Sequence, residues 1–153
     1  YAGLQFYNLN RNEFFEYIET LLDSALTAGQ LYCIRGFVSL GQSAYAFREL
    51  GAVLSVNELK GPKTQNITLP HLSLTNGGYL DDQNEWMCIS GIYKAKGKEH
   101  FLTLGNFTGE DDFWHVQLRS KTDSLFKSSY YFIDDLSLSA ISDSTSCNCS
   151  PGR

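Results

Sequence analysis

The hydrophobic pattern of this chain consists of short apolar runs separated by polar turns. Residues 30–40, 86–95 and 99–107 carry apolar side chains at alternate positions, with many β-branched and aromatic residues among them. A period of two is typical of strands, because successive side chains of a strand project to opposite faces. Clusters of Gly, Asn and Asp lie between the runs, as expected for turns. The pattern predicts an all-β protein of about seven or eight short strands.

The same features locate the individual strands. We predict strands at residues 1–7, 13–22, 30–40, 50–56, 86–95, 99–107 and 128–138. Residues 13–22 also match an amphipathic helix, and we interpret them mainly as a strand. Residues 43–49 are interpreted as a helical turn or loop, and residues 86–107 as a hairpin that turns at residues 96–98. Without a βαβ rhythm, this order favours an antiparallel β-sandwich or jelly roll.

The last predicted strand, residues 128–138, contains two adjacent carboxylates. Uninterrupted alternation places Phe132 and Asp134 on the same face as Leu136 and Leu138, which mark the core side. An ionised carboxylate turned toward a core is costly unless it meets donors, an Arg or a metal. Two alternatives follow: backbone N–H groups of a neighbouring loop satisfy Asp134, or Asp134 and Asp135 belong to a structural calcium site.

Length and charge limit the classes of protein to which the chain can belong. The 153 residues fit one domain, which we place at residues 1–140, followed by a Ser/Cys-rich tail or linker at residues 141–153. Tyr1 in place of an initiator Met suggests a processed or excised chain. A net charge of −5 without a basic cluster disfavours nucleic-acid binding. The longest apolar runs fall short of the 18 to 20 or so residues of a membrane-spanning helix.

The four cysteines do not have zinc-site spacing. Cys33 and Cys88 each lie inside a predicted strand, where they are either small core-filling thiols, which we favour, or disulfide partners. Cys147 and Cys149 are separated by one residue, and a bridge between them would be strained. We therefore expect each of these two to pair with a cysteine elsewhere, either in this sequence or outside it.

Catalytic motifs are missing from the sequence. The three His residues are scattered, and no nucleophile elbow, phosphate loop or dinucleotide fingerprint occurs. A glycosidase needs two carboxylates about 5 to 10 Å apart across a sugar, which sequence alone does not reveal. We expect a protein without enzymatic activity and keep a glycoside hydrolase or lyase as the least favoured class.

Exposed aromatic rings are the candidate ligand platforms, since sugar rings stack their C–H faces on them. Trp114 is the first candidate because carboxylates and a His surround it in residues 109–115. Its alternative role is to anchor that loop to the domain, and Trp86 is expected to pack in the core. Weaker ligand-binding candidates are Tyr7, Arg35, Tyr45 and Tyr130.

Several segments together resemble a known family. They are residues 4–7, 16–18, 28–32, 50–51, 86–91, 99–107 and 131–138. In this order they are similar to the galactose-binding-like jelly rolls of carbohydrate-binding modules, and more closely to the extracellular domains of that type in surface and OmpA-family outer-membrane proteins of Bacteroidota-like bacteria. Such modules usually begin with a strand like Asn-x-Ser-Phe-Glu, whose loop helps to bind calcium. No such strand precedes Tyr1 here.

The resemblance implies a non-catalytic domain that is secreted or displayed on the exterior of the outer membrane. It implies either glycan binding, as in adhesion to a cell-surface polysaccharide, or a structural role in a surface filament or envelope complex. In the second case the partners are copies of the same chain or other surface proteins. Structural Ca²⁺ is the one cofactor that the resemblance suggests.

Overall fold

The computed structural model describes residues 1–8, 15–43, 45–61, 67–75, 77–108, 115–118 and 128–149. Within these ranges the chain forms ten strands and a short 3₁₀ helix at Ser144–Ser146. The strands are β1 (Ala2–Asn8), β2 (Ile18–Leu21), β3 (Leu31–Leu40), β4 (Tyr45–Phe47), β5 (Gly51–Ser55), β6 (Leu72–Ser73), β7 (Met87–Lys94), β8 (Phe101–Gly105), β9 (His115–Gln117) and β10 (Ser128–Ile141).

All of these strands pair in an antiparallel manner. One four-stranded sheet, here called the front sheet, has the order β1-β10-β3-β7. A second, the back sheet, has the order β2-β8-β5-β6, and β4 pairs with β9 in a small third sheet. The prediction of an all-β, antiparallel fold is therefore confirmed.

Both large sheets contribute to a single hydrophobic core. Leu4, Ile34 and Ile89 of the front sheet cluster with Leu102 and Leu104 of the back sheet, and each of these side chains is almost completely buried. Burying large aliphatic side chains contributes about 1.5 to 3 kcal/mol each relative to exposure. Two sheets that share one core in this way are expected for a sandwich.

The segment predicted as a helical turn or loop is a strand. Tyr45, Ala46 and Phe47 of β4 are all buried and pair with β9. Because every position of this short strand is buried, the alternation that identifies a half-exposed strand is missing. Residues 13–22 contain β2, which confirms the strand interpretation for Ile18–Leu21.

The predicted hairpin between residues 86–95 and 99–107 is wrong. β7 pairs with β3 in the front sheet, whereas β8 pairs with β2 and β5 in the back sheet. The intervening turn crosses from one sheet to the other and is held by Glu99, which is 3% exposed. The Glu99 carboxylate accepts hydrogen bonds from Lys96 N at 2.6 Å and Gly97 N at 2.8 Å.

The hydrogen bonds at this turn change two pKa values. Burial alone would raise the pKa of Glu99, but the hydrogen bonds from the Tyr93 hydroxyl and from the backbone outweigh burial and lower it. Burial and the neighbouring Glu99 raise the pKa of Tyr93 to about 12. At neutral pH Glu99 is therefore an ionised carboxylate and Tyr93 a protonated donor, as the observed hydrogen bond requires.

A β-bulge divides β10. Asp134 lies opposite Phe37 of β3 and Ser137 lies opposite Arg35, so three steps along β10 match two along β3. Asp135 within this bulge has a φ of 48°. One extra residue reverses the alternation: Tyr131 and Ile133 are buried before the bulge, whereas Leu136 and Leu138 pack on the core after it.

The bulge corrects the prediction for Asp134. The prediction assumed one uninterrupted alternation, which would turn Asp134 inward together with Leu136. In the structure Asp134 lies on the opposite side of the sheet from its buried neighbour Ile133, and its side chain is 35% exposed. Solvent and nearby groups can therefore stabilise the carboxylate without a ligand inside the core.

Two disulfides attach the C-terminal segment to the front sheet. Cys33 of β3 bonds Cys147, with Cα atoms 5.4 Å apart, and Cys88 of β7 bonds Cys149, with Cα atoms 5.8 Å apart. The prediction that Cys33 and Cys88 are core-filling thiols is therefore wrong. Their alternative role as disulfide partners is confirmed. The expectation that Cys147 and Cys149 pair with cysteines elsewhere and not with each other is also confirmed, because residues 142–149 fold back onto the sheet from which they emerge.

Candidate binding face

The surface of the front sheet that points away from the core is called here the outer face. Pair register places Phe132 between Gly3 of β1 and Ser39 of β3. The next outward position of β10, Asp134, lies opposite Phe37. Because side chains alternate along a strand, these residues project opposite to the buried Leu4, Val38 and Ile133.

Three aromatic rings cluster on the outer face and are called here the aromatic patch. The ring centroids of Tyr1 and Phe132 are 5.6 Å apart at an interplanar angle of 87°, and those of Tyr130 and Phe132 are 5.3 Å apart at 75°. Both are edge-to-face arrangements, which aromatic quadrupoles favour. Tyr1 is 88% exposed and Tyr130 is 37% exposed, so part of this ring surface is open to solvent.

Gly3 is the reason that Tyr130 can lie flat against β1. A Cβ atom at residue 3 would overlap the Tyr130 hydroxyl and approach its ring. A glycine here lets the ring pass over the backbone, as glycines in strands often permit close approach. The Tyr130 backbone N–H also donates to Ser43 Oγ at 2.9 Å, and this hydrogen bond holds the backbone of β10 in place at Tyr130.

Charged groups of both signs lie on the outer face together with the aromatic patch. Asp134 Oδ1 lies 3.6 Å from the Tyr1 ammonium group. Arg35 is exposed, and its backbone carbonyl accepts a hydrogen bond from Ser137 Oγ at 3.2 Å. Rings with adjacent donors and acceptors can stack on an apolar surface of a ligand while bonding its polar groups.

The C-terminal segment covers another part of the same outer face. Its two disulfides reach Cys33 and Cys88, which project outward from β3 and β7. Cys147 Sγ also lies 3.5 Å from the carbonyl oxygen of Gly91. The outer face is thus divided between a disulfide-bonded segment over β3 and β7 and the aromatic patch over β1 and β10.

The structure brings some of the predicted site residues together and separates others. Arg35, Tyr130 and Asp134 share the outer face of the front sheet. Tyr45 is only 8% exposed and belongs to the core, so its ring offers no platform. Trp114 and the side chain of Tyr7 lie outside the part of the chain that the structure describes.

Trp86 differs from its expected core position, because 37% of its surface is exposed. It directly precedes β7, at the end of the front sheet where Val38 pairs with Met87. The prediction that Trp86 packs in the core is therefore wrong, and its ring is accessible at the surface.

Sequence reasoning did not identify Tyr1 and Phe132 as site residues. Phe132 was assigned to the core face together with Leu136, because the bulge was not recognised. A signal was present: the apolar positions switch from Tyr131 and Ile133 to Leu136 and Leu138 across the adjacent carboxylates. Such a change of parity within one strand indicates an inserted residue.

Calcium binding at Asp134 and Asp135 stays a prediction. Within the described ranges, no group of three or more His, Cys, Asp or Glu side chains lies close enough to hold a metal ion. Asp134 instead lies beside the Tyr1 ammonium. Calcium usually takes six to eight oxygen ligands, so backbone carbonyls or water would have to supply the others.

A groove of about 670 Å³, lined by residues of β1, β2 and the segment 58–61, is a weaker candidate site. It is lined by Glu16, Glu19, Glu58 and Lys60 among apolar side chains. Two of these carboxylates already accept hydrogen bonds within the protein. Glu16 accepts from Gln5 N at 2.9 Å. Glu19 accepts from Leu59 N at 3.0 Å and from the Thr103 hydroxyl at 2.6 Å. Burial raises the pKa of the neighbouring Tyr17, which donates to Asn106 O at 3.0 Å.

Comparisons with protein-family models, with curated proteins and with solved structures found no match. Among the described residues, no helix has the length and hydropathy that a bilayer-spanning segment needs. The two disulfides are typical of proteins that reside in an oxidising compartment. The geometry of the outer face is the strongest argument about function.

Proposed function

We propose that this chain is a non-catalytic extracellular module that binds glycans through the aromatic patch. The observation that carries the proposal is the exposed cluster of Tyr1, Tyr130 and Phe132 on the outer face, with Asp134 beside Tyr1 and Arg35 farther along the same face. The resemblance of its segments to galactose-binding-like jelly rolls supports the same function. The jelly-roll topology itself is part of this proposal.

An exposed cluster of aromatic rings favours ligands that have both an apolar surface and polar groups. Water solvates ring faces poorly, and a soluble protein rarely leaves such a patch open without a use for it. The C–H faces of a sugar match aromatic ring faces, while its hydroxyls need hydrogen-bonding groups close by. Asp134 and the guanidinium of Arg35 are groups of that kind on the same face of the sheet.

The proposed location is the cell exterior. Disulfides persist in secreted proteins and in the periplasm, and are rare where thiols are kept reduced. The cell-surface position, on the exterior of an outer membrane, rests on the family resemblance alone. Trp114 remains a second predicted platform within this proposal.

The second candidate function is a structural subunit of a surface filament or envelope complex. Its support is the same patch, since exposed Tyr and Phe side chains also anchor protein interfaces. In that function the rings contact a neighbouring subunit instead of a sugar. A glycoside hydrolase or lyase remains the least supported class.

A matched pair of tyrosine variants tests the proposal. A glycan array on the parent protein first identifies the best-bound glycan, and light scattering measures its mass. Tyr130→Ala should weaken binding of that glycan by about 1 to 3 kcal/mol, the range for an aromatic hot spot. Tyr79→Ala is the control because Tyr79 is 38% exposed, nearly the same as Tyr130 at 37%, but lies outside the front sheet.

The outcomes separate the two candidate functions. Selective glycan binding that Tyr130→Ala weakens and Tyr79→Ala leaves intact supports the glycan module. An array without selective hits, together with a mass above that of one chain that Tyr130→Ala reduces, supports the structural subunit. Equal loss of affinity in both variants would refute the assignment of the site to the aromatic patch.

A further inference from the structure

Trp86 lies in line with the aromatic patch across the outer face. In the register between β10 and β3, Phe132 lies opposite Ser39. The last pair of β3 with β7 is Val38 with Met87, so Ser39 and Trp86 are the next residues of the two chains. Val38 and Met87 contact the core, and alternation therefore turns Ser39 and Trp86 to the outer face. Phe132, Ser39 and Trp86 thus form a row at right angles to the strands, called here the outer row.

The middle position of the outer row is small. Ser39 lies between two aromatic residues, which leaves space above it for a ligand. Adjacent strands are about 4.8 Å apart, so the backbones of Phe132 and Trp86 are separated by about 10 Å. A single sugar ring is shorter than this separation. A ligand that contacts both aromatic rings must therefore be a chain of sugars.

A turn holds the backbone that precedes Trp86. Asp82 Oδ1 accepts hydrogen bonds from Asn84 N at 2.8 Å and from Glu85 N at 2.9 Å. The Asp82 carbonyl oxygen accepts from Leu40 N at 2.9 Å, which attaches the turn to the end of β3. A ring on a backbone that is already ordered loses less conformational freedom on binding. Trp86, at 37% exposure, is therefore a suitable platform.

The chain around Trp86 is acidic. Residues 77–93 contain Asp81, Asp82 and Glu85, and no Lys or Arg. Asp81 and Glu85 are exposed. An acidic polysaccharide would bring its carboxylates close to these groups, and like charges repel. The hydroxyls of a neutral sugar can instead donate hydrogen bonds to them.

The shape of the outer row favours an extended sugar chain. In β-1,4-linked glucose both glycosidic bonds leave the ring equatorially, so the chain is a flat ribbon in which each ring presents C–H faces. Such faces stack on aromatic rings. An α-1,4-linked chain curves and would leave one end of a straight row without contact.

We propose that Trp86 is a further platform of the glycan site, and that the outer row binds a neutral, linear chain of β-1,4-linked sugars. The chain crosses β10 and β3 from the aromatic patch to Trp86 and passes over Ser39. This inference rests on the proposed glycan function and adds to it a class of substrate, a direction of binding and a residue.

The test uses oligomers of one to six β-1,4-linked glucose units. Their affinity, measured by calorimetry, should rise with length until the chain covers the outer row and then level off. In NMR spectra the indole N–H signal of Trp86, identified by its loss in Trp86→Phe, should shift when the hexamer is added. A hexamer of β-1,4-linked glucuronate has the same linkage and a carboxylate on every ring, and it should bind at least tenfold more weakly. An α-1,4-linked glucose hexamer should also bind more weakly.

Three variants test the role of the ring. Trp86→Ala should lower the affinity for the β-1,4-linked glucose hexamer by about tenfold or more, as loss of an aromatic hot spot does. Trp86→Phe keeps a ring and should retain most of the affinity. Tyr79→Ala is the control, because Tyr79 is 38% exposed, nearly the same as Trp86, but lies outside the front sheet. Melting temperatures establish that each variant is folded.

The results distinguish this inference from the proposed function. Glycan binding that Tyr130→Ala weakens and Trp86→Ala leaves intact would overturn the outer row and keep the aromatic patch as the site. Equal affinity for the neutral and the acidic hexamer, or for the β- and α-linked hexamers, would overturn the substrate class alone. An array without selective hits would overturn both proposals. A mass above that of one chain that Trp86→Ala reduces would assign the outer row to a protein interface.

Discussion

The two halves of β10 are stabilised in different ways. Residues 128–133 have β1 on one side and β3 on the other, and they bury Tyr131 and Ile133 in the core. Residues 136–141 have β3 on one side, and the chain that follows them is held to β3 and β7 by two disulfides. The first half depends on strand pairing and side-chain burial, whereas covalent bonds reinforce the second.

The bulge at Asp135 makes this difference possible. Before it, Phe132 and Tyr130 project outward while Tyr131 and Ile133 fill the core. With uninterrupted alternation, either the rings would be buried or Leu136 and Leu138 would face solvent. One inserted residue lets a single strand present aromatic rings on the outer face and, a few residues later, leucines toward the core.

The largest expected effect is the loss of a disulfide that reinforces the second half. Cys33→Ser combined with Cys147→Ser should reduce the free energy of unfolding by about 3 to 5 kcal/mol, because the bridge closes a long loop. The two cysteines are separated by 114 residues, against 61 for Cys88 and Cys149. Removal of the second bridge should therefore cost slightly less, by about 0.5 kcal/mol in the chain-entropy model.

Urea denaturation of the two double variants measures these costs. Hydrogen exchange should show the first variant losing more protection in residues 136–141 than in residues 128–133. Equal loss in the two halves would mean that the disulfide stabilises the whole sheet and not its second half.

An intermediate effect is expected in the first half. Tyr131 is 1% exposed, and its hydroxyl donates to Leu80 O at 2.9 Å and accepts from Phe47 N at 2.8 Å. Burial raises the pKa of this hydroxyl well above its usual range, so it remains a protonated donor. Tyr131→Phe leaves a buried N–H and a buried C=O without this partner and should cost about 1 to 3 kcal/mol.

Tyr130→Phe is the control, because Tyr130 is 37% exposed and removing its hydroxyl leaves no buried group unpaired within the described part of the chain. Thermal and urea unfolding should place this control within about 0.5 kcal/mol of the parent. If Tyr131→Phe is equally stable, the two hydrogen bonds do not hold the first half in place.

Local patterns predicted the strands because a period of two is visible within a few residues. Strand partners were harder: Lys96, Gly97 and Lys98 indicate that the chain reverses, but not that β7 and β8 join different sheets. The disulfides join residues far apart in the sequence, and alternation carries no information about such distances.

The residues of the candidate site could be predicted only in part, because the directions of some side chains depend on contacts with other parts of the chain. The alternation within its own strand predicted that Arg35 faces outward, and it is exposed in the structure. Phe132 was missed because its direction depends on the bulge at Asp135, and Tyr45 was included because a strand buried at every position resembles a loop-like segment. Alternation within β3 was sufficient for Arg35, whereas Phe132 required the register between β10 and β3, and Tyr45 required the packing that buries every position of β4.

The smallest expected effect concerns the bulge itself. Asp135 has a φ of 48°, in the left-handed region that Asn and Asp tolerate and β-branched residues avoid. Asp135→Val should therefore cost about 1 to 2 kcal/mol, and Asp135→Asn should remain within about 0.5 kcal/mol of the parent. Urea denaturation compares the two, and glycan affinity shows whether the aromatic patch moves with the bulge. A Val variant as stable as the Asn variant would mean that the backbone at residue 135 is free to leave the left-handed region, and that the reversal of alternation is fixed by the core packing of Leu136 and Leu138 instead.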